Sequence, residues 1–353
     1  VNSVFTAIDL SKLPSPQVVE ALSAEAIFNE MLASLQQLDP TFNALVPSDP
    51  AYKILLVAAY RELLLRQKMN DKAKARMLAF ALDADLDHIG ASMAVPVARL
   101  AGETNDAFRA RLVLAPEAYS VAGPVGAYKF HALSAHSGIK DVSVWNPGIG
   151  GRVNVAVLSK DGNGACFGAR INHPEGYVDA DTSLAVTGVL APLSNGQELA
   201  FEGGAIFTLD DDFATGVTVI TGALAGAVAD GERAGILPFV QDALDPETRL
   251  PLCDTAEVMS AEIIEYSVIA QLIIYGGPDA RTVRNNALVS VQAYVAARHK
   301  CGNDITISGL MAALHVEGVQ EVVLVSPSAR IEVDQGQAAY CTFINVSVVG
   351  RDE

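Results

Sequence analysis

Gln197-Glu198-Leu199-Ala200-Phe201 and Val217-Thr218-Val219 alternate polar and apolar residues, and each run is bounded by Gly, Asn or Asp. A period of two between turn-forming residues is the pattern of short strands. These runs lie between Arg170 and Arg233, a stretch with no Lys or Arg and with ten acids from Glu175 to Glu232, Asp210-Asp211-Asp212 among them. The flanking sequence reads as helix or as mixed helix and strand. The contrast predicts an acidic β-rich module over residues 166–233, inserted into an α/β host.

Outward from the insert, the host carries an internal repeat. His131–Pro147 and Met311–Pro327 align at a constant offset of 180, placing Gly138 on Gly318, Val142 on Val322 and Pro147 on Pro327. Each copy reads as a short helix, a Gly turn, and a strand ending at a proline. A second strand is predicted after each, at Val153–Leu158 and at Ile331–Val333. The first α/β unit then covers 119–165 plus 234–262, and the second covers 263–353. The second opens on an alternating strand, Ile263–Tyr275. A helix from Ala280 to Ala297 follows, burying Val283, Ala287, Val291, Tyr294 and Val295, with Gly302 beyond its end.

Residues 1–118 read as helical. Ser23 is placed to cap a helix whose Ile27, Phe28, Met31, Leu32, Leu35 and Leu38 recur at helical spacing. Asp49-Pro50 supplies a second start, with a capping carboxylate and a proline whose missing N–H costs nothing in the first turn. That helix is predicted to run to about Leu82. Its Ile54, Leu55, Val57, Tyr60, Leu63, Leu64 and Leu65 point all around the helical wheel, so it must be covered on every side, by this chain's own core or by other chains. Farther on, Arg61, Lys68, Lys72 and Arg76 form one basic stripe, which suits either a solvated face or an acidic subunit. Leu55, Tyr60, Leu63, Leu64, Arg61, Lys68, Lys72 and Arg76 are the candidate subunit-interface residues. The fold class is thus α+β multidomain: a helical N-terminal region, two related small α/β units, and a β-rich insert in the first.

The 353 residues suffice for about two to four domains. A net charge of −17, from 24 bases and 41 acids, argues against general binding to nucleic acid or anionic membranes. The opening residues Val1-Asn2-Ser3-Val4-Phe5 lack the basic and apolar regions of a secretory signal, and no run of about 18 apolar residues occurs. A mean hydropathy of +0.29 suits either an Ala- and Val-rich composition or extra apolar surface buried between subunits. Cys166, Cys253, Cys301 and Cys341 are widely separated, as expected of free thiols in a reducing compartment.

Motifs for chemistry are lacking. His131 and His136 lie five apart and diverge on a helix, and His88, His173, His299 and His315 have no triad partners, His315 being expected to pack within its helix. Asp161-Gly162-Asn163-Gly164 reads as a hairpin turn rather than a phosphate cradle. Asp210–Asp212 lacks the alternating spacing and distal Glu of a calcium loop. The expectation is no catalytic residue, no metal and no cofactor.

The chain resembles the baseplate J-like proteins of contractile phage tails and R-type tailocins. The resemblance rests on Ile8-Asp9-Leu10-Ser11 with Leu13-Pro14-Ser15-Pro16, Ala59-Tyr60-Arg61-Glu62-Leu63, and Asp85-Leu86-Asp87-His88-Ile89-Gly90. It continues through Ser120-Val121-Ala122-Gly123-Pro124-Val125-Gly126-Ala127-Tyr128 and Ala312-Ala313-Leu314-His315-Val316-Glu317-Gly318-Val319. Short members pass almost directly from the Val153–Leu158 strand to the helix near Phe239, so the insert is a departure from them. The resemblance implies a non-enzymatic wedge of the tail baseplate, built in the host bacterial cytoplasm. Its partners would be a companion wedge protein, a sheath-initiator protein, further copies of itself in a six-fold ring, tail fibres, and the hub and spike. Nucleic acid and membrane would not be among them. The N-terminal helices would bundle with partners, the C-terminal unit would close the ring, and fibre engagement would release sheath contraction. An alternative from another class is a carbohydrate-binding adhesin using the acidic insert, in which Phe201, Phe207 and Phe213 would serve as aromatic platforms; the competing expectation is that these rings fill the module's core.

Overall fold

Ser23 Oγ accepts from Ala26 N at 3.2 Å and starts the first helix, α1 (Ala24–Leu38), where the sequence places it. In the computed structural model the described residues are 10, 13, 23–43, 46–120, 123–187, 189, 191–244, 251, 254–277 and 279–352. Most of Ile8–Pro16, Val121-Ala122 and Cys253 lie outside them. Residues 1–113 and 114–353 form two compact units.

In the first unit, Asp49 Oδ1 accepts from Ala51 N at 2.8 Å and caps α2 (Pro50–Ala75). Phe28 of α1 packs on Tyr52 of α2 with ring centroids 4.9 Å apart. The second helix stops at Ala75, short of the expected Leu82. A distant side chain explains the early stop: Arg109 donates from Nε to Leu78 O at 2.9 Å and from Nη2 to Ala81 O at 2.7 Å. Those carbonyls are satisfied without continuing the helix, and a turn through Phe80 leads to α3 (Asp83–Ala91). Arg109 sits on α4 (Asn105–Leu114), whose Phe108 and Leu112 are fully buried beside Gly90 of α3. Gly90 is needed here, because a Cβ would lie 2.6 Å from Val97 O and 2.8 Å from the Phe108 ring.

In the second unit, α5 (Val125–Ala135) leads to β1 (Ile139–Trp145) and β2 (Arg152–Ser159), an antiparallel pair. The Asp161–Gly164 segment is a turn, closed by Gly164 N to Asp161 O at 3.0 Å. It does not make a hairpin, because the next strand, β3 (Gly168–Arg170), pairs antiparallel with β8 (Arg233–Gly235) instead of β2. Between them β4 (Ser183–Ala185), β5 (Glu198–Ala200), β6 (Ile206–Leu209) and β7 (Val219–Ala225) form an antiparallel sheet in the order β4-β7-β6-β5. Its core includes Leu184, Leu199, Phe207 and Ile220. The chain then returns through α6 (Leu237–Ala243) to β9 (Thr255–Ser260), which pairs parallel with β2.

One residue, Ala261, separates β9 from β10 (Glu262–Tyr275). After β10 come α7 (Ala280–Arg298), α8 (Ile307–Leu314), β11 (Val319–Ser326) and β12 (Gln337–Asp352). β10 is central, antiparallel to β11 and parallel to β12. Its Tyr266, Val268, Ala270, Leu272 and Ile274 alternate into the core with Val283, Ala287 and Val291 of α7, while Tyr294 and Val295 are half-buried rather than fully buried. The repeat appears as α5–β1 and α8–β11, but the two sheets continue differently. Ile331–Val333 is not a strand: Ile331 exchanges hydrogen bonds with Ile305, and Val333 N donates to Asp304 Oδ1 at 2.8 Å. Local partners take those backbone groups, so the ladder forms only in β12, on the far side of β10.

The two α/β sheets meet at a seam. Ala261 N donates to Val157 O at 2.9 Å, and Ala156, Leu158, Ala261 and Ala338 share a small apolar cluster. Across it, Lys140 Nζ lies 2.8 Å from His299 Nδ1, and Cys301 N donates to Asp141 Oδ2 at 3.0 Å. The mixed α+β class read from the sequence is the class of the structure.

Candidate subunit interface on the second helix

The side of α2 that faces its own unit is narrow. Ala59 and Asn70 are its buried positions, and Leu55 and Leu63 are half-buried beside them. The rest of the apolar set faces solvent, from Met69 at 72% exposed to Leu64 at 39%, with Ile54, Leu56, Val57, Tyr60 and Leu65 between. Of the two coverings the sequence left open, the described residues of the first unit do not supply burial of this face. Among the expected interface residues, Tyr60, Leu64, Arg61, Lys68, Lys72 and Arg76 are exposed, whereas Leu55 and Leu63 lie at the margin of the packed side. Sequence reasoning left Ile54, Val57, Leu65 and Met69 out of that set. The usable signal was their common side, opposite Tyr52 and Ala59, but nothing local says which side α1 covers.

The charges on α2 divide into paired and free. Arg66 and Glu62, four residues apart, form an ion pair at 2.6 Å. Arg61, Lys68, Lys72 and Arg76 have no ion-pair partner among the described residues. Beside the end of α2 an open hollow of about 500 Å³ is lined by Lys72, Ala73, Ala75, Arg76 and Asp85.

Elsewhere the ionisable groups are held by structural bonds. His136 Nδ1 accepts from Gly138 N at 3.0 Å, and its ring lies on Phe239. His131 packs edge-on against Phe130. His315, expected inside its helix, is instead the exposed residue that ends α8, where the chain turns into β11. In the acidic triplet, Asp210 accepts from Thr221 Oγ1, Asp211 from Asp212 N, and Asp212 from Asn195 N, which makes a bonded turn. No cluster of three metal-ligating side chains occurs among the described residues. A cleft of about 370 Å³ at the insert's neck is lined by residues including Cys166, Glu202, Arg233 and Phe239. Burial pushes the Cys166 thiol up to about 12, so it is protonated and a poor nucleophile at neutral pH. Arg233 is fully engaged there, with Glu202 and Asp242. Phe201 and Phe207 are buried and Phe213 is half-buried in the insert's core, so the aromatic platforms of the adhesin reading are not on its surface. No helix among the described residues is long and apolar enough to cross a membrane.

Two segments match known family profiles: residues 47–106 the Baseplate J-like N-terminal domain, and residues 266–347 the Baseplate J-like protein C-terminal domain. The first covers α2, α3 and the start of α4; the second covers most of the sheet β11-β10-β12 with α7 and α8. Baseplate protein J of Escherichia phage P2 is 33% identical over 366 aligned residues, spanning 98% of this chain and 99% of that protein.

Proposed function

The chain belongs to the baseplate J-like family, and from that premise we propose that it is a structural component of a phage-type tail baseplate, held to its neighbours through α2. The observation that carries this reading is the apolar side of α2, left open over a helix about 39 Å long at 1.5 Å per residue. A large apolar side chain gains about 1.5–3 kcal/mol when it moves from water to a packed interface. A face of this kind is characteristic of a subunit in an assembly. Residues 1–118 are then the region that bundles with a companion wedge protein and a sheath initiator. Residues 119–165 with 234–262 form the first α/β unit, and 166–233 form a module set into it. Residues 263–353 close a six-fold ring with further copies of the chain. The last assignment is supported by the uncovered face of the sheet β11-β10-β12. There Val323, Val325, Phe343 and Val349 are exposed while Val322, Leu324, Ile344 and Val348 pack under the helices.

Function in such a part is mechanical. Interfaces with two packings of similar energy let engagement of fibres at the periphery bias the ring toward the state that frees the sheath. Packed contacts carry that step, and no residue needs catalytic chemistry for it. Leu64→Asp tests the reading. A carboxylate buried there without a partner costs several kcal/mol, so tails assembled with this variant should lack the companion wedge protein while the chain itself stays folded by circular dichroism. Normal tails containing Leu64→Asp would refute the assignment of α2.

A further inference from the structure

The four-stranded sheet of the insert covers its core with one face. Leu184, Leu199, Phe207, Leu209, Ile220 and Leu224 are buried on that side, so the alternate residues of the same strands stand on the other. By register, Val219 stands beside Ala185, Ala223 beside Thr208, and Ile206 beside Ala225. Glu198 is the one charged residue among these outward strand positions, and apart from it no outward side chain is larger than isoleucine. The face is open among the described residues, with Val219 at 52% and Ile206 at 40% exposed. A solvated sheet face carries polar side chains on its outward positions, whereas this one is flat and nearly uncharged. Acids border it at two sides. Asp210, Asp211 and Asp212 follow β6, and Asp179 and Asp181 lie on the segment before β4, where Ala180 N donates to Leu224 O of β7 at 2.9 Å. Glu198 and these five acids make no ion pair among the described residues, and no Lys or Arg occurs from 171 to 232.

Resting on the baseplate reading only for the choice of neighbour, we propose that this sheet face docks a different protein of the tail, through a flat uncharged surface rimmed by Lys and Arg. Small outward side chains let the partner come close to the strands, and Val219 and Ile206 give the contact its apolar area. The bordering carboxylates meet the partner's cations, which raises the encounter rate and fixes orientation more than it adds affinity. Charge also selects the occupant. A second copy of the insert brings the same acids opposite these and is repelled. Nucleic acid and anionic lipid carry the same sign and are repelled likewise. The insert is then a second point of attachment, separate from α2 in sequence and opposite to its basic stripe in charge.

Zero-length carbodiimide coupling tests this on the full-length chain, co-expressed with the tail proteins encoded beside it. The reagent joins carboxylates to lysine amines, and residues 171–232 offer acids but no lysine. Mass spectrometry should find Glu198 and Asp210–Asp212 joined to lysines of a second protein. Thr208→Lys/Ala223→Lys should cut those links at least about tenfold, because bulk and like charge then meet the partner. Both positions point outward, so the melting temperature should shift by no more than about 2 °C. Glu198→Lys should lower the Asp210–Asp212 links in the same direction. Raising salt from about 0.05 to 0.5 M should do so in the wild type, because screening shortens to a few ångströms over that range. Links confined to this chain's own lysines, or links that the lysine variants and salt leave unchanged, would overturn the proposal. If Leu64→Asp still removed the companion wedge protein in that case, the reading of α2 would stand without it. Insert links that persist in Leu64→Asp while the companion is lost would support two separate contacts, and a chain that joins no complex would overturn both readings.

Discussion

Glu103 and Arg111 are buried together, Arg111 Nε donating to Oε1 at 2.9 Å and Nη2 to Oε2 at 2.7 Å. Nη2 also donates to Ala98 O at 2.7 Å, and the guanidinium lies 5.2 Å from the Phe108 ring centroid. Removing one member of such a pair strands the other charge, which costs about 3–5 kcal/mol. Glu103→Ala should therefore lower the unfolding free energy of the helical unit by that amount in urea titration, and a loss under about 1 kcal/mol would contradict this. Nothing in the sequence marks the pair. Its members are eight residues apart, one on a helix and one in the loop before it, and neither sits in a recognisable motif. Gly90 is different: it ended a segment already singled out in the sequence, and the close approach of Val97 and Phe108 gives the physical reason for it.

Elements were legible where their signals are local. Both early helix starts were readable because the capping side chains of Ser23 and Asp49 act within a few residues, and Pro50 marks the second start further. The end of α2 was not, because Arg109 reaches it from roughly a helix-loop-helix away. The strand before α7 was clear from its alternation, whereas β12 was missed. Register shifts between Tyr266 and Ser267, and between Leu272 and Ile273, interrupt the period of two along that pair. The insert was legible from composition alone, but its attachment was not. Arg233 bridges Glu202 of the insert to Asp242 of α6, lies 4.0 Å over the Phe239 ring, and is joined by Arg170 at the same Asp242. Gly235, the partner of Gly168 across the neck, takes φ +74°, and a Cβ there would lie 2.3 Å from Phe167 O. Arg233→Ala should leave the core of the insert protected but raise amide exchange several-fold at β3 and β8. Its partly exposed ion pairs contribute only about 1–2 kcal/mol between them. Unchanged exchange at β3 and β8 would show that the backbone pairing alone holds the neck.

At the scale of the molecule, the seam between the two α/β sheets gives a pH dependence that composition cannot reveal. Neutral His299 accepts from Lys140 at Nδ1 and stacks near Tyr340, and burial followed by the Lys140 charge holds its pKa below the usual histidine value. Burial lowers His136 as well. Asp141 across the seam is occupied by Cys301 N, and Lys300 adds further positive charge near Lys140. A base whose folded pKa is depressed contributes stability that is complete above the unfolded value, about 6.5, and is lost as pH falls below it. The melting temperature should therefore decline between about pH 6.5 and 5, and His299→Gln should flatten part of that decline. Asp39, Asp279 and Asp304, held low mainly by hydrogen bonds, contribute losses only below about pH 4 and so fall outside this window. A flat profile from pH 7 to 5 would contradict the neutral-histidine seam. The larger question is whether the open side of α2 is an interface. Native mass spectrometry of the wild-type chain, co-expressed with the tail proteins encoded beside it, addresses that directly. A stable complex of the chain with a companion baseplate protein, lost on Leu64→Asp, is the expected result. A monodisperse monomer that leaves its neighbours unbound would contradict the account.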